Sequence, residues 1–281
     1  MIERKSIQRY LRCLVPLPTS LRPEGVLKEE IKCVLFDIYG TLFVSGSGDI
    51  SIADKKSPKI EEIKGLLTKY SIRISPQSLL DELYRTIKER HRELRNRGVD
   101  FPEVNIDLIW MKVLSNDDIT AVRQFAVEFE LIVNPVSPMP NLENMLTACR
   151  DRCQSMGIIS NAQFYTDYLF KWFLGSDLNG LGFDPELVYY SYQFQIAKPS
   201  AMLFQIAAQK LKERAIMPSN VLYVGNDMLN DIYPAKAIGF QTALFAGDRR
   251  SLRLRADDPR CKDLRANLVI TDLDQLIPHL V

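Results

Sequence analysis

One stretch constrains the fold more than any other: Lys32-Cys-Val-Leu-Phe-Asp-Ile-Tyr-Gly-Thr-Leu-Phe43. Its apolar run, Cys33 to Phe36, is too short for a helix and reads as a fully buried strand. The run stops at Asp37 and Gly40 supplies a turn, so a carboxylate stands at the C-terminal tip of a core strand. Open α/β sheets bind ligands at that edge. A carboxylate there can attack an electrophile and form a covalent intermediate, with Thr41 and the turn amides holding an anion beside it. An aspartate that only stabilises the turn through its own backbone would look the same, so the reading depends on what else the chain brings to this edge.

The later sequence is organised to bring more. Residues 155–160, 187–191, 221–225, 241–245 and 267–270 read as strands, while 141–152, 163–174, 199–213, 228–238 and 272–279 read as helices. That alternation predicts an α/β fold with a Rossmann-like, doubly wound, mainly parallel sheet. Between the first strand and this array, Val44-Ser-Gly-Ser-Gly-Asp-Ile50 reads as a hinge. Ile60 to Tyr70 and Pro76 to Arg97 carry helical spacing, the second with Ser75 as N-cap, Pro76 at the first position and Gly98 just past the end. Helices continue to about residue 134. The expected division is an N-terminal arm over 1–30, kept extended by Pro16, Pro18 and Pro23; a core over 31–48 and 136–281; and an inserted helical cap over 49–135.

Charge and cysteine usage narrow the function. With 36 basic and 35 acidic residues the net charge is +1, which gives no general field for nucleic acid or an anionic membrane. Neither is an expected partner; a small anionic substrate is, and a homodimer is the expected assembly. Five cysteines, Cys13, Cys33, Cys149, Cys153 and Cys261, form no metal-site spacing and read as reduced thiols in cytoplasm. The basic N-terminus lacks a following apolar core, and no apolar run approaches membrane-spanning length. Two histidines, His91 and His279, give little material for a histidine-based metal site or triad.

Three later strand ends place polar residues where Asp37 needs them. Ser160 and Asn161 close one apolar strand and can hydrogen-bond a developing oxyanion. Lys198, in Ile196-Ala-Lys-Pro-Ser200, can neutralise the carboxylate and the substrate together. Tyr223-Val-Gly-Asn-Asp-Met-Leu-Asn-Asp231 runs from a strand into a turn bearing Asn226, Asp227, Asn230 and Asp231. Oxygen ligands gathered there suggest Mg²⁺, although the same residues serve as helix caps.

In this order, at strand tips, the four stretches resemble the haloacid dehalogenase superfamily of aspartate-nucleophile hydrolases. Phe36-Asp-Ile-Tyr-Gly-Thr-Leu42 is similar to its first motif, Ile158-Ile-Ser-Asn161 to its second, Ala197-Lys-Pro199 to its third and Val224-Gly-Asn-Asp through Asp231 to its fourth. The resemblance implies Asp37 as nucleophile and a helical cap inserted after the first motif. Two departures matter. Phosphatases of the superfamily carry a second aspartate two residues after the nucleophile; here that position is Tyr39, a poor acid and base at neutral pH. The Asp-x-Tyr-Gly-Thr-Leu pattern is typical of L-2-haloacid dehalogenases, whose halide leaves without a proton. The fourth motif leans the other way: metal-dependent relatives read Gly-Asp where this chain has Gly225-Asn226, and dehalogenases replace that acid with Ser and Asn and use no metal. Here Asp227 follows, so an acidic group is kept, shifted by one residue, and metal binding stays open. Dehalogenases also carry a tyrosine six residues after the lysine; here it is Phe204, which reads as core.

Three functional readings follow. The first is Mg²⁺-assisted hydrolysis of a small phosphorylated metabolite with a good leaving group, the metal held by Asp37, the Tyr39 carbonyl and one of Asn226, Asp227 and Asp231. The second is a metal-free 2-haloacid dehalogenase in which Asp231 or a neighbour activates water. The third is a non-catalytic relative whose cleft binds an anion or whose cap binds a protein. His91, Arg92, Arg95 and Arg97 of the long cap helix, then Asp100-Phe-Pro-Glu-Val104 and Trp110, could reach the cleft, but most charges on such a helix face only water. Gln163, Phe164 and Tyr165 at the sheet edge are the expected pocket neighbours. The basic run Arg249, Arg250, Arg253 and Arg255 reads mainly as a solvated surface, with a subunit contact or an anionic substrate as the alternative.

Overall fold

A computed structural model of the chain describes residues 2–46 and 60–280; residues 47–50 of the expected hinge lie outside that set. Nine strands are described. β1 (Glu24–Gly25), β2 (Cys33–Phe36), β5 (Ser155–Ser160), β6 (Val188–Tyr190), β7 (Val221–Gly225), β8 (Gln241–Phe245) and β9 (Leu268–Ile270) form one sheet in the order β1-β9-β8-β7-β2-β5-β6. Only the β1–β9 pair is antiparallel. The first strand predicted from sequence is therefore central, between β5 and β7, and Cys33–Phe36 is buried throughout. A strand covered on both faces has no polar side to alternate, which is why its sequence is a continuous apolar run.

The two faces of the sheet take alternate residues. Val34, Phe36, Ile158, Leu222 and Val224 join a core shared with the cap side, whereas Cys33, Leu35, Ile159, Val221 and Tyr223 pack with Leu203, Phe204 and Leu211 of the Met202–Glu213 helix. Phe204 meets Tyr223 edge-on with ring centroids 4.9 Å apart, the core role expected for it.

A second, two-stranded sheet pairs β3 (Phe43–Ser45) with β4 (Val136–Pro138), antiparallel, where the chain leaves the core and returns. Sequence patterning missed it because each strand has only three residues. Between them lie the helices Ile60–Lys69, Pro76–Asn96, Ile106–Leu114 and Ile119–Val133. Ser75 Oγ accepts from the Ser78 amide and caps the long helix, as its sequence predicts. Trp110 is buried against Phe125 and Phe129, centroids 5.0 and 4.8 Å away, so it belongs to the interior of this helical layer and not to a cleft. Segment 101–103 hooks onto the sheet side: Ala197 N donates to Phe101 O at 2.7 Å and Glu103 N to Gln195 O at 3.0 Å.

The N-terminal arm lies across both layers. Tyr10 donates to Glu128 of the Ile119–Val133 helix at 2.8 Å and Arg12 bonds Glu62. Leu14 N donates to Ser137 on β4, Leu17 N to Asp248 and Thr19 Oγ1 to Ala246 O. The arm then enters the sheet itself as β1. Several expected helices are shorter or wound differently: 228–238 begins as a π-helical turn, Met228–Ile232, before Tyr233–Ile238, and Leu273–His279 is 3-10. Among the described residues no helix is long and apolar enough to cross a membrane, and all five cysteines are free thiols.

Candidate active site

The register of β2, β5 and β7 brings the polar strand ends to one edge. Phe36 is level with Ile158 and Val224, so Asp37, Ser160 and Asn226 follow within two residues on three adjacent strands. Asp37 Oδ1 accepts from Ser160 Oγ at 2.8 Å and from Lys198 Nζ at 2.7 Å. The same ammonium donates to Asp231 Oδ1 at 2.6 Å and to the Tyr223 hydroxyl at 3.1 Å. Asp231 Oδ2 accepts from the Asp227 amide at 2.9 Å. Gly225 permits this: a Cβ there would sit 2.4 Å from the Asp231 carboxyl carbon.

Burial strongly opposes charge in this cluster. Asp231 is pushed up to about 7 by desolvation and by the neighbouring Asp37 and Asp227, against the pull of Lys198. Desolvation lowers Lys198, but Asp231 and Asp37 together outweigh it and the ammonium is held above its ordinary value. At neutral pH the site therefore contains a charged lysine, a nucleophile bound through one oxygen, and a second carboxyl able to exchange a proton.

The other predicted residues are placed differently. Thr41 is fully buried and donates to Asn226 Oδ1 at 3.3 Å, so it fastens the first motif to the fourth. Asn161 spans to the backbone of Lys198, accepting from its amide at 2.8 Å and donating to its carbonyl at 3.3 Å. A spacing of two from Asp37 would put Tyr39 on the same face of a strand, and Tyr39 does line the same cleft as Asp37. Strand β2 ends at Phe36, however, so 37–42 is a turn and that periodicity lapses. The Tyr39 hydroxyl meets Thr166 Oγ1 at 3.0 Å, and burial pushes the phenol well above its ordinary value.

The fourth motif tests a magnesium site directly. Asn226 Nδ2 donates to Ser251 O at 2.6 Å. Asp227 is gripped by Arg255 through bonds of 2.6 to 3.2 Å and also caps the amides of Leu229 and Asn230. Asp231 is committed to Lys198. Among the described residues no group of three or more His, Cys, Asp or Glu side chains could hold a metal ion. A hard cation needing near-octahedral oxygen donors would find Asp37 as its one available carboxylate, with Asn226 Oδ1, which already accepts from Thr41, as a neutral donor in the same cleft. The donor set does not fit a resident Mg²⁺.

Above this edge lies a cleft of about 490 Å³ between the sheet and the helical layer. Tyr84, Ile87, Lys88 and His91 line it, an i, i+3, i+4, i+7 stripe of the Pro76–Asn96 helix. Of the cap residues expected there, His91 is present, while Arg92, Arg95 and Arg97 are exposed elsewhere on the helix. Gln163 and Tyr165 line the cleft as expected; Gln163 also ties the layers, bonding Ile106 N and Val104 O at 3.0 Å each. Phe164 lies under Arg123 instead. Arg253, half-buried, and Arg255, still exposed, line the cleft on the loop after β8, so this part of the basic run borders the site. Ser251 anchors that loop: Gly40, at φ +84°, leaves room where a Cβ would lie 2.4 Å from the serine.

Two cleft residues carried no sequence signal. Lys88 is one lysine on a highly charged helix. Glu130, near the end of Ile119–Val133, accepts from Asn134 Nδ2 at 3.0 Å, and burial raises its carboxyl.

Comparison with known proteins agrees with this fold. A family model for haloacid dehalogenase-like hydrolases matches residues 31–239, whereas no curated protein sequence matches. A 2-haloacid dehalogenase from Pseudomonas syringae pv. tomato DC3000 superposes with a TM-score of 0.55 at 18% identity, covering 89% of this chain and 98% of that one. An HAD phosphatase from Thermococcus onnurineus gives 0.53 at 19% identity, over 88% and 96%. YfnB of Bacillus subtilis, an HAD hydrolase bound to magnesium, gives 0.50 at 14%, over 90% and 99%. At such identities the likeness is one of fold.

Proposed function

The chain belongs to the haloacid dehalogenase-like hydrolases, and from that premise we propose that it hydrolyses a small anionic substrate through a covalent ester on Asp37, without a resident metal, as a 2-haloacid dehalogenase. The observation that carries this reading is the commitment of both acidic residues of the fourth motif to cations of the chain itself, Asp231 to Lys198 and Asp227 to Arg255. Phosphoryl transfer relies on metal and cationic charge around the transferred group. A halide leaving carbon takes the bonding electron pair with it and needs neither a metal nor a proton.

The reaction has two steps. Asp37 Oδ2, which carries none of the bonds made by Oδ1, attacks the carbon bearing the halogen; the C–O bond forms as the C–X bond breaks, and halide departs. Oδ1 then becomes the ester carbonyl oxygen. Ser160 and Lys198 already contact that atom and stabilise the negative charge it gains when water attacks the ester carbon. Asp231, titrating near 7, accepts the proton from that water. Collapse returns the Asp37 carboxylate and releases a 2-hydroxy acid; the net change is haloacid plus water to hydroxy acid, halide and a proton.

Magnesium-assisted phosphohydrolysis ranks second. It is favoured by Glu130, a carboxyl in the cleft whose raised proton affinity suits a general acid, but it requires Asp227 or Asp231 to exchange its present cation for the metal. The test is halide release from 2-chloropropionate in EDTA, beside phosphate release from an aryl phosphate with Mg²⁺, with Asp37→Asn as control for both. Halide release that persists in EDTA and is lost in the variant is expected. Absence of halide from every short haloacid, together with Mg²⁺-dependent phosphate release, would overturn the proposal.

A further inference from the structure

The carboxylates around the cleft all have partners. Asp37 and Asp231 share Lys198, Asp227 has Arg255, Glu130 has Asn134, and Glu103 accepts from Ser191 Oγ and the Val104 amide, each at 2.9 Å. The basic groups are not matched in the same way. Lys88 makes no hydrogen bond or ion pair among the described residues. His91, one turn further along the same stripe, has a buried Nε2 without a partner; burial and the nearby Arg95 hold its imidazole below its ordinary value, so it offers a hydrogen bond and not a charge. Arg253 has no carboxylate within ion-pair distance among the described residues. Its Nη1 donates instead to the carbonyls of Arg250 and Leu252 at 2.7 and 3.0 Å, which fixes the guanidinium without neutralising it.

We propose that Lys88, His91 and Arg253 form a second anion subsite, and that the substrate is a small dianion with one carboxylate beside the reacting carbon and a further anionic group held here. This rests on the reading of the cleft as a substrate site and names the class of substrate. Two independent considerations support it. An anionic nucleophile repels an anionic substrate, and Lys198, already divided between two carboxylates, has little charge left to offset a further two. A fixed planar guanidinium and an ammonium are suited to a carboxylate or phosphate. The volume points the same way: a cleft of about 490 Å³ is far larger than a three-carbon acid fills. Because Lys88 and His91 come from the helical layer and Arg253 from the sheet side, the bound group would bridge the two walls.

Calorimetric titration in EDTA with succinate and propionate as probes tests this without turnover. The wild type should bind succinate at least about tenfold more tightly than propionate. Lys88→Gln and Arg253→Ala should each lose about tenfold for succinate with propionate little changed, and Arg253→Lys should recover part of the loss. His91→Gln, which keeps a hydrogen-bonding tip, should lose less. Equal affinity for the two probes in the wild type, or variants that keep succinate as tightly with unchanged melting temperature, would overturn the subsite. The two proposals fail separately. Tight, variant-sensitive succinate binding without halide release from chloropropionate or chlorosuccinate keeps the subsite and removes the dehalogenase. Halide release with no preference for the dianion does the reverse.

Discussion

Two buried clusters in this protein are built from the same kinds of side chain and behave in opposite ways. At the sheet edge, Lys198 serves Asp37 and Asp231, with Asp227 close by. At the junction of arm and cap, Glu128 is also buried, but it alone receives Lys69 at 2.5 and 2.7 Å, Gln124 at 2.7 Å and the hydroxyls of Tyr10 and Tyr70. Burial by itself would raise both carboxyls. At Glu128 the donors reverse that and hold it below its ordinary value; at Asp231 crowding among carboxylates reinforces it. The number of carboxylates per cation separates a proton-exchanging site from a structural lock. Linkage gives the signs: Glu128 adds stability above its unfolded value that is lost as pH falls through the folded one, whereas Asp231 costs stability as pH rises from about 4 toward 7.

The comparison can be broken most sharply at Asp37. Asp37→Asn should abolish turnover, by roughly 10⁴-fold or more as for other unitary nucleophiles, while leaving the melting temperature equal or higher, because one of the crowded carboxylates is gone. A melting temperature several degrees lower would show that the cluster is held together by Asp37 after all. Next in size, Lys198→Met should cost about 3–5 kcal/mol in urea unfolding at pH 8, since it strands two buried carboxylates. The loss should shrink at pH 5, where protonation of Asp231 relieves the repulsion; a pH-independent loss would contradict the charge argument.

Activity supplies the third test. With Asp231 accepting the proton, hydrolysis of the ester should rise about tenfold per pH unit below an apparent value near 7 and level above it. Asp231→Asn should remove that limb and let the covalent ester accumulate, visible as added mass on intact protein. Glu128→Gln should do less, costing about 1–2 kcal/mol with kcat unchanged, and should flatten the loss of stability toward acid pH. The smallest effect belongs to Tyr39→Phe, which removes one hydrogen bond to Thr166: about 1 kcal/mol or less of stability and under about threefold in rate. A large rate loss there would return the phenol to the chemistry.

What the sequence conveyed follows from the range of the forces involved. The central strand, its parallel partners and the tips carrying Asp37 and Ser160 were legible, because those strands are contiguous apolar runs that end at a polar residue. Lys198, after the helix Ser191–Phe194, and Asp231, in the Met228–Ile232 turn, were legible from their motifs instead. Tyr39 lines the cleft with Asp37, as its spacing suggested, but its hydroxyl turns to Thr166, a partner the sequence does not mark. Asp227 could not be read as Arg255's partner, since a sequence separation of 28 and the Ser251 anchor decide where that loop lies. On the long cap helix, periodicity defines a stripe but not how far along it the sheet approaches, so Lys88 was passed over while Arg92, Arg95 and Arg97 were expected.

The arm's course has a mechanical consequence. It is fastened to the helical layer by Tyr10 and Arg12, to β4 by Leu14, and to the sheet's far side by Leu17 and Thr19. Residues 12–17 have no helix to unwind, and an extended chain cannot lengthen beyond about 3.3–3.6 Å per residue. The helical layer therefore cannot move far from the sheet unless residues 12–17 rearrange or one of these anchors gives. How wide the cleft gapes is limited by a segment that lines none of it.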